Sequence, residues 1–288
     1  MQQQIGLVGL GAMGSGILAR LCETGHVVLC FDADPKAMDR AAGLGGRPAT
    51  SAGEIGASCR IVLLSLPKAA IVRDVMGQLL PAMAAGSVVV DSSTSEPETT
   101  RALSAEALAQ GVHFLDAPVS GGPKGACEGT MSMIVGGDAA ALDQVRPVLE
   151  RMTGKLLHIG PSGAGHTAKI ANNLLCAANL VLVSEMAHMA SRAGVTLRDL
   201  LAGINAGSGR SGVSEVNFPR WIENGAYDSG FTMGLMRKDV KLACDLGKSL
   251  GLDLPATRAI AAIWHDSRST LPDSADFNEI YTYGRPDD

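Results

Sequence analysis

The sequence predicts an α/β fold, with a doubly wound, mainly parallel sheet in the N-terminal part and an all-helical C-terminal part. Three observations carry this expectation. Short apolar runs rich in β-branched residues alternate with amphipathic stretches as far as about residue 160, the order of elements that gives parallel strands joined by crossover helices. A glycine-rich turn, Gly9-Leu10-Gly11-Ala12-Met13-Gly14, directly follows the first run. After Gly160-Pro161-Ser162-Gly163 the alternation stops, and the chain reads as helical to about residue 270. The expected domains are therefore 1–162 and 163–288.

Taken in order, strands are expected at Ile5–Val8, Val27–Phe31, Ile61–Leu66, Ser87–Val90, Val112–Leu115, Met131–Val135 and Lys155–Ile159. Between them, Ile17–Thr24 and Ile71–Met83 have helical periodicity, and Gly25 stands where a helix C-terminal stop belongs. A further helix is expected over Ala139–Met152. The segment from Gly165 to Ala193 has apolar residues on nearly every face, which predicts a long helix buried between domains or subunits, and hence a homodimer or homotetramer. Its most apolar run, Leu174–Val183, lies between Asn173 and Glu185 and is too short for a membrane span. With a strand beginning by Ile5, no secretory leader is expected, and the location expected is cytoplasmic.

Composition narrows the function classes. A net charge of −5 with no dense Lys/Arg run leaves no electrostatic footprint for nucleic acid. The six cysteines are scattered without a Cys-x-x-Cys pair, and the six histidines without a ligand pair, so neither a zinc site nor a redox motif is expected. With 35 glycines and 3% aromatic residues, the composition suits close helix–sheet packing and backbone approach to a ligand.

The glycine turn fits G-x-G-x-x-G at the start of the first βαβ unit, the fingerprint of a Rossmann-type nucleotide-binding sheet. Gly9 makes the tight turn, Gly11 lets the backbone approach a pyrophosphate, and Gly14 lets helix and strand pack closely. The phosphates then rest on the helix N-terminus, with Leu10, Ala12 and Met13 completing the loop. Asp32 ends the second strand about 20 residues later, where a carboxylate accepts hydrogen bonds from the ribose of NAD and repels the extra phosphate of NADP. It also reads as a plain turn aspartate in Asp32-Ala33-Asp34-Pro35. Arg40, which would favour NADP, falls too far into the next helix to outweigh it. Leu66-Pro67 and Asp91-Ser92-Ser93-Thr94 both follow strands and reach the carboxyl edge where such sheets bind ligands. The hydroxyls of the latter either cap a helix or contact the nicotinamide.

Two further segments carry chemistry. Ser120-Gly121-Gly122, in the loop that starts at Asp116, presents a hydroxyl and freed backbone N–H groups that suit a carboxylate, although an ordinary Ser-Gly turn looks the same. Lys169 stands near the start of the long helix with Asn173 one turn later on the same face. Burial and the positive helix end both favour the neutral amine, which can exchange a proton near neutral pH. The alternatives are a helix lysine reaching to solvent, or His166, one turn earlier, as the base.

Together and in order, the glycine loop, Leu66-Pro67, Ser93-Thr94, Asp116–Gly122, Lys169 with Asn173, and Lys238-Asp239 resemble the β-hydroxyacid dehydrogenase family over nearly the whole chain. That family includes 3-hydroxyisobutyrate dehydrogenase, tartronate semialdehyde reductase and 2-(hydroxymethyl)glutarate dehydrogenase. By this resemblance Lys169 is the catalytic lysine, with Asn173 its partner in holding the substrate. Ser120, Gly121 and Gly122 bind the substrate carboxylate, Thr94 and Lys238 contact the cofactor, Asp239 orients Lys238, and His166 has no catalytic role. The related 6-phosphogluconate dehydrogenases carry a His-Asn pair where this chain has Asn172-Asn173, and a longer C-terminal domain.

The function expected is hydride transfer between NAD and the hydroxyl carbon of a small 3-hydroxy acid, without a metal. The alternatives are a reductase of a small semialdehyde acid, such as tartronate or succinic semialdehyde, and a non-catalytic NAD-binding regulator. Arg210, in Gly207-Ser208-Gly209-Arg210-Ser211, reads either as a recogniser of a second substrate carboxylate or as a solvent-exposed loop residue.

Overall fold

The computed structural model describes residues 4–284. In chain order the first part holds β1 (Gln4–Val8), α1 (Ala12–Glu23), β2 (Val27–Phe31), α2 (Pro35–Gly43), β3 (Arg47–Pro48), α3 (Ala52–Ser58), β4 (Ile61–Leu64) and α4 (Ala69–Leu79). There follow β5 (Val88–Asp91), α5 (Pro97–Leu108), β6 (His113–Asp116), β7 (Val119–Ser120), α6 (Gly122–Glu128), β8 (Met131–Gly136), α7 (Ala139–Leu149) and β9 (Thr153–Gly160). The remainder holds α8 (Ala164–Arg192), α9 (Leu197–Ala206), a wide-turned helical segment over Val213–Ile222, α10 (Met233–Ser249) and α11 (Pro255–Asp266).

The sheet runs β3-β2-β1-β4-β5-β6, all parallel, and then continues through β8. This is the 3-2-1-4-5-6 order of the dinucleotide-binding fold, with its direction reversing beside β1. β8 joins β6 antiparallel through Asp116 and Gly136, and itself carries β7 antiparallel and β9 parallel. Side-chain alternation splits the strands between two apolar layers. Ile5, Leu7, Ile61, Leu63, Val88 and Val90 face one layer, whereas Val8, Val62, Leu64 and Val89 face the other. β4 and β5 are buried at every position, which is why they read as unbroken apolar runs.

The structure departs from the sequence reading at strand ends. The strand expected to reach Leu66 stops at Leu64, because Leu66-Pro67 leaves the ladder, where proline has no N–H to give. The two-residue strands β3 and β7 and the short helices α3 and α6 are too brief for periodicity to reveal.

Two compact units divide between Lys169 and Ile170, within α8 rather than at the glycine break before it. The reason lies in the first turn of α8, which packs backbone against backbone on β6 and β8. A Cβ on Gly165 would lie 2.6 Å from the Ile134 carbonyl and 2.7 Å from that of Asp116.

The second unit is built around Leu180, Val213, Phe218, Met236, Val240, Trp264, Phe277 and Ile280. The fully buried Trp264 donates its indole N–H to the Ala177 carbonyl at 3.3 Å. With 29 residues, α8 is long and apolar enough to cross a membrane by length and composition, unlike the shorter run expected from the sequence. Ala177, Leu180 and Val181 nevertheless lie in the core of this unit, while Leu175, Leu182, Met186 and Met189 form an exposed stripe at 7-, 4- and 3-residue steps along α8.

Candidate active site

At the carboxyl end of β1 the three loop glycines have three different reasons. Gly9 has φ 95°, and a Cβ there would meet the Ser65 carbonyl at 2.3 Å. A Cβ on Gly14 would stand 1.9 Å from the Gly9 carbonyl. Both glycines are therefore forced by the chain itself. At Gly11 nothing lies within 4 Å of the Cβ direction. No contact within the chain requires glycine there, and the open space at the N-terminus of α1 fits the close approach of a pyrophosphate. Leu10 is buried beneath the loop, while Ala12 and Met13 begin α1.

Asp32 braces this loop. Its Oδ2 accepts the Leu10 N–H at 2.6 Å and its Oδ1 the Asp34 N–H at 2.9 Å. A carboxylate has acceptor capacity beyond these two bonds, so a ribose hydroxyl remains compatible. Arg40 departs from the sequence reading. Despite its place in α2, it lines a cavity of about 580 Å³ together with Gly11, Ala12, Ser15 and Leu44. α2 starts at the same carboxyl edge as α1, so Arg40 shares a cavity with the loop despite its distance along the chain.

The next strand ends are tied to one another. Ser92 donates its hydroxyl to the Leu64 carbonyl at 2.6 Å, and the Leu66 N–H donates to Ser93 Oγ at 3.0 Å. Leu66-Pro67 and Thr94 are thereby held beside each other at the carboxyl edge of β4 and β5. Asp91 Oδ1 accepts the Ser93 N–H at 3.0 Å. Burial pushes the Asp91 carboxyl above the usual carboxylate range, opposed by the nearby His166 and the Ser93 hydrogen bonds and reinforced by Asp116.

Asp116 does what no local residue can. Gly163, just before α8, has no side chain with which to cap the helix. The Asp116 carboxylate, 47 and 50 residues away, accepts the Gly163 N–H at 2.8 Å and the His166 N–H at 2.9 Å. The cap fixes the first turn of α8. One turn on, the buried Lys169 donates from Nζ to Ser120 Oγ at 2.8 Å. Ser120 ends β7 and leads into Gly121 and Gly122, with φ 126° and 65°, at the start of α6. Lysine, serine and the two glycines are therefore in one place.

In the second unit, Asn173 Nδ2 donates to Asp239 Oδ2 at 2.6 Å, and Lys238 Nζ lies 3.2 Å from Asp239 Oδ1. Asp239 thus ties to Asn173 as well as to the lysine beside it. Arg210 is exposed. Among the described residues no group of three or more His, Cys, Asp or Glu side chains is placed to hold a metal ion. Sequence reasoning missed the work of Asp116 and the tie from Asp239 to Asn173. It had no signal for either, because both bonds join residues far apart in the chain.

Comparison with known proteins identifies the family. Residues 4–160 match the family described as the NAD binding domain of 6-phosphogluconate dehydrogenase, and residues 163–283 the one described as NAD-binding of NADP-dependent 3-hydroxyisobutyrate dehydrogenase. The 2-(hydroxymethyl)glutarate dehydrogenase of Eubacterium barkeri is 34% identical over 92% of this chain and 89% of its own. The chain belongs to the β-hydroxyacid dehydrogenase family. Another relative, a probable 3-hydroxyisobutyrate dehydrogenase of Mycobacterium tuberculosis, is 36% identical over 90% of each chain. The solved structure of Mycobacterium tuberculosis 3-hydroxyisobutyrate dehydrogenase with L-serine superposes with TM-score 0.93 at 34% identity, covering 99% of this chain and 100% of the other. As a β-hydroxyacid dehydrogenase, the protein is an NAD(P)-linked oxidoreductase acting on CH–OH.

Proposed function

We propose that this enzyme oxidises the hydroxyl of a small 3-hydroxy carboxylic acid of the 3-hydroxyisobutyrate type, with NAD as acceptor and Lys169 as the proton-transferring group. The observation that carries the reading is the Lys169–Ser120 hydrogen bond at the head of the Gly121-Gly122 turn. It sets an amine beside a hydroxyl and two backbone N–H groups suited to a substrate carboxylate.

The cofactor, when bound, supplies the hydride acceptor at its nicotinamide. Gly9, Leu10, Gly11, Ala12, Met13 and Gly14 would hold its pyrophosphate, Asp32 its ribose, and Leu66, Pro67, Thr94 and Lys238 its nicotinamide end. Ser120, Gly121 and Gly122 would bind the substrate carboxylate, and Asn173 would hold the substrate beside Lys169. In oxidation, the neutral Lys169 amine takes the hydroxyl proton as hydride leaves the carbinol carbon. In reduction, its ammonium protonates the developing alkoxide. That ammonium supplies the positive charge that a metal supplies in other dehydrogenases.

The alternative cofactor, NADP, has a specific observation behind it: Arg40 lines the cavity beside Gly11, so the preference for NAD rests on Asp32 alone. Repulsion of the extra phosphate should cost at least about 1.4 kcal/mol, or tenfold in kcat/KM. The test is a panel of 3-hydroxyisobutyrate, glycerate, threonate, L-serine and 2-(hydroxymethyl)glutarate, each with NAD and NADP. Turnover of one of these with at least tenfold preference for NAD is the expected result. Equal rates with the two cofactors would remove Asp32 from the ribose site. No oxidation of any acid, with rapid reduction of tartronate or succinic semialdehyde, would make it a semialdehyde reductase.

The exposed stripe Leu175, Leu182, Met186, Met189 on α8 supports a homodimer or homotetramer. We place the enzyme in the cytoplasm. Light scattering that returned a 29.6 kDa monomer at micromolar concentration would contradict the assembly.

A further inference from the structure

His166 is wholly buried one turn before Lys169, and both of its ring nitrogens are engaged. Nε2 lies 3.0 Å from the Ser93 carbonyl and Nδ1 2.7 Å from Thr100 Oγ1. A carbonyl only accepts, so Nε2 carries a proton. Neither nitrogen is open to a substrate hydroxyl, which removes His166 as a rival base.

The partners of this ring give it another use. Ser93 immediately precedes Thr94, and its hydroxyl accepts the Leu66 N–H. Thr100 sits in the first turn of α5 and also reaches back to the Glu96 carbonyl at 3.2 Å. The backbone N–H of His166 is itself held by Asp116. One imidazole therefore joins the Leu66–Thr94 strand ends, the start of α5 and the lysine-bearing turn of α8. We infer that His166 is a positioning residue, which sets the distance between Thr94 and Lys169 through its bonds to the Ser93 carbonyl and the Thr100 hydroxyl. The inference rests on the reading of Lys169 as the proton-transferring group and of Thr94 as a cofactor contact. Geometry of this kind matters because small misplacements of reacting groups cost orders of magnitude in rate.

The chemistry of the ring selects the test. A glutamine amide carries both a donor and an acceptor and can replace both bonds, whereas leucine can replace neither. In His166→Leu, kcat per folded enzyme should fall about 10- to 100-fold, with KM for the hydroxy acid changed less than about threefold. His166→Gln should recover kcat to within about threefold of wild type. Oxidation by both variants should still rise with pH, because Lys169 is intact. Where His166→Leu does not accumulate as folded protein, Thr100→Val removes the Nδ1 partner, together with the bond to the Glu96 carbonyl, and should cost about threefold or more in kcat. The inference is overturned if His166→Leu, or Thr100→Val in its place, turns over within twofold of wild type per folded enzyme. It is equally overturned if His166→Gln is no better than His166→Leu. Lys169→Ala, assayed alongside, reads the parent assignment separately. If that variant keeps more than a tenth of wild-type turnover, the lysine reading fails, while the leucine–glutamine contrast still decides whether His166 tunes the rate.

Discussion

The glycine loop and the lysine turn each place the start of a helix at a carboxyl edge of the sheet, yet they are built in opposite ways. The loop's own turn spans only Gly9 to Gly14, with Gly14 packed on the Gly9 carbonyl, and its outside supports are few: Ser65 against Gly9 and Asp32 beneath Leu10. The lysine turn is assembled from a distance. Its cap is Asp116, its side-chain partner Ser120, and its lock His166 with Ser93 and Thr100, across separations of 47 to 73 residues. A local turn is specified by conformational preference, and a remote cap only by the completed fold. Damage to the first should therefore appear as lost cofactor affinity or local strain. Damage to the second should appear as lost turnover.

The largest effect expected is for Lys169→Ala. Turnover should fall on the order of 10² to 10⁴ fold while NAD affinity stays near normal. The rise of wild-type oxidation with pH should vanish in the variant. Steady-state rates across pH, with NAD binding by titration calorimetry, check both halves. Retention of more than about a tenth of the rate would break the contrast between the two regions.

Within the glycine loop the contrast sharpens. Gly14→Ala drives a methyl group into the Gly9 carbonyl and should cost roughly 1–3 kcal/mol of stability along with cofactor binding. Gly11→Ala meets no atom of the chain. Its melting temperature should stay within about a degree of wild type while the NAD dissociation constant rises about tenfold. Equal losses of melting temperature in the two variants would show that Gly11 is kept for the fold rather than for the ligand.

The smallest effect concerns Asp91, whose Oδ2 has no hydrogen-bond partner among the described residues. Its carboxyl is raised in the folded state, chiefly by burial. The folded protein therefore holds this proton at pH values where the unfolded chain has released it, and stability falls as pH rises from the ordinary carboxylate range through the folded value. Asp91→Asn keeps an oxygen for the Ser93 N–H and removes that fall. The difference in melting temperature, variant minus wild type, should become more positive between pH 4 and 8. A difference that is flat or declining across this range would place the ionisation elsewhere.

Much of the fold was legible in the sequence. Alternating apolar runs located the central strands because β4 and β5 are buried on both faces, and the G-x-G-x-x-G spacing located the loop because two of its three glycines are sterically compulsory. The order of the longer strands and helices and the place of the nucleotide loop could be read from the sequence, since periodicity and turn chemistry act over a few residues. Folding alone brings Arg40 into one cavity with the loop, sets Asp116 as the cap of α8, ties Asp239 to Asn173, and buries His166 with both ring nitrogens engaged. Each of these depends on a cavity or a hydrogen bond between segments that approach only when the chain has folded. Such pairings leave no repeating pattern in the sequence, because their geometry is set by strand order and helix packing rather than by spacing along the chain.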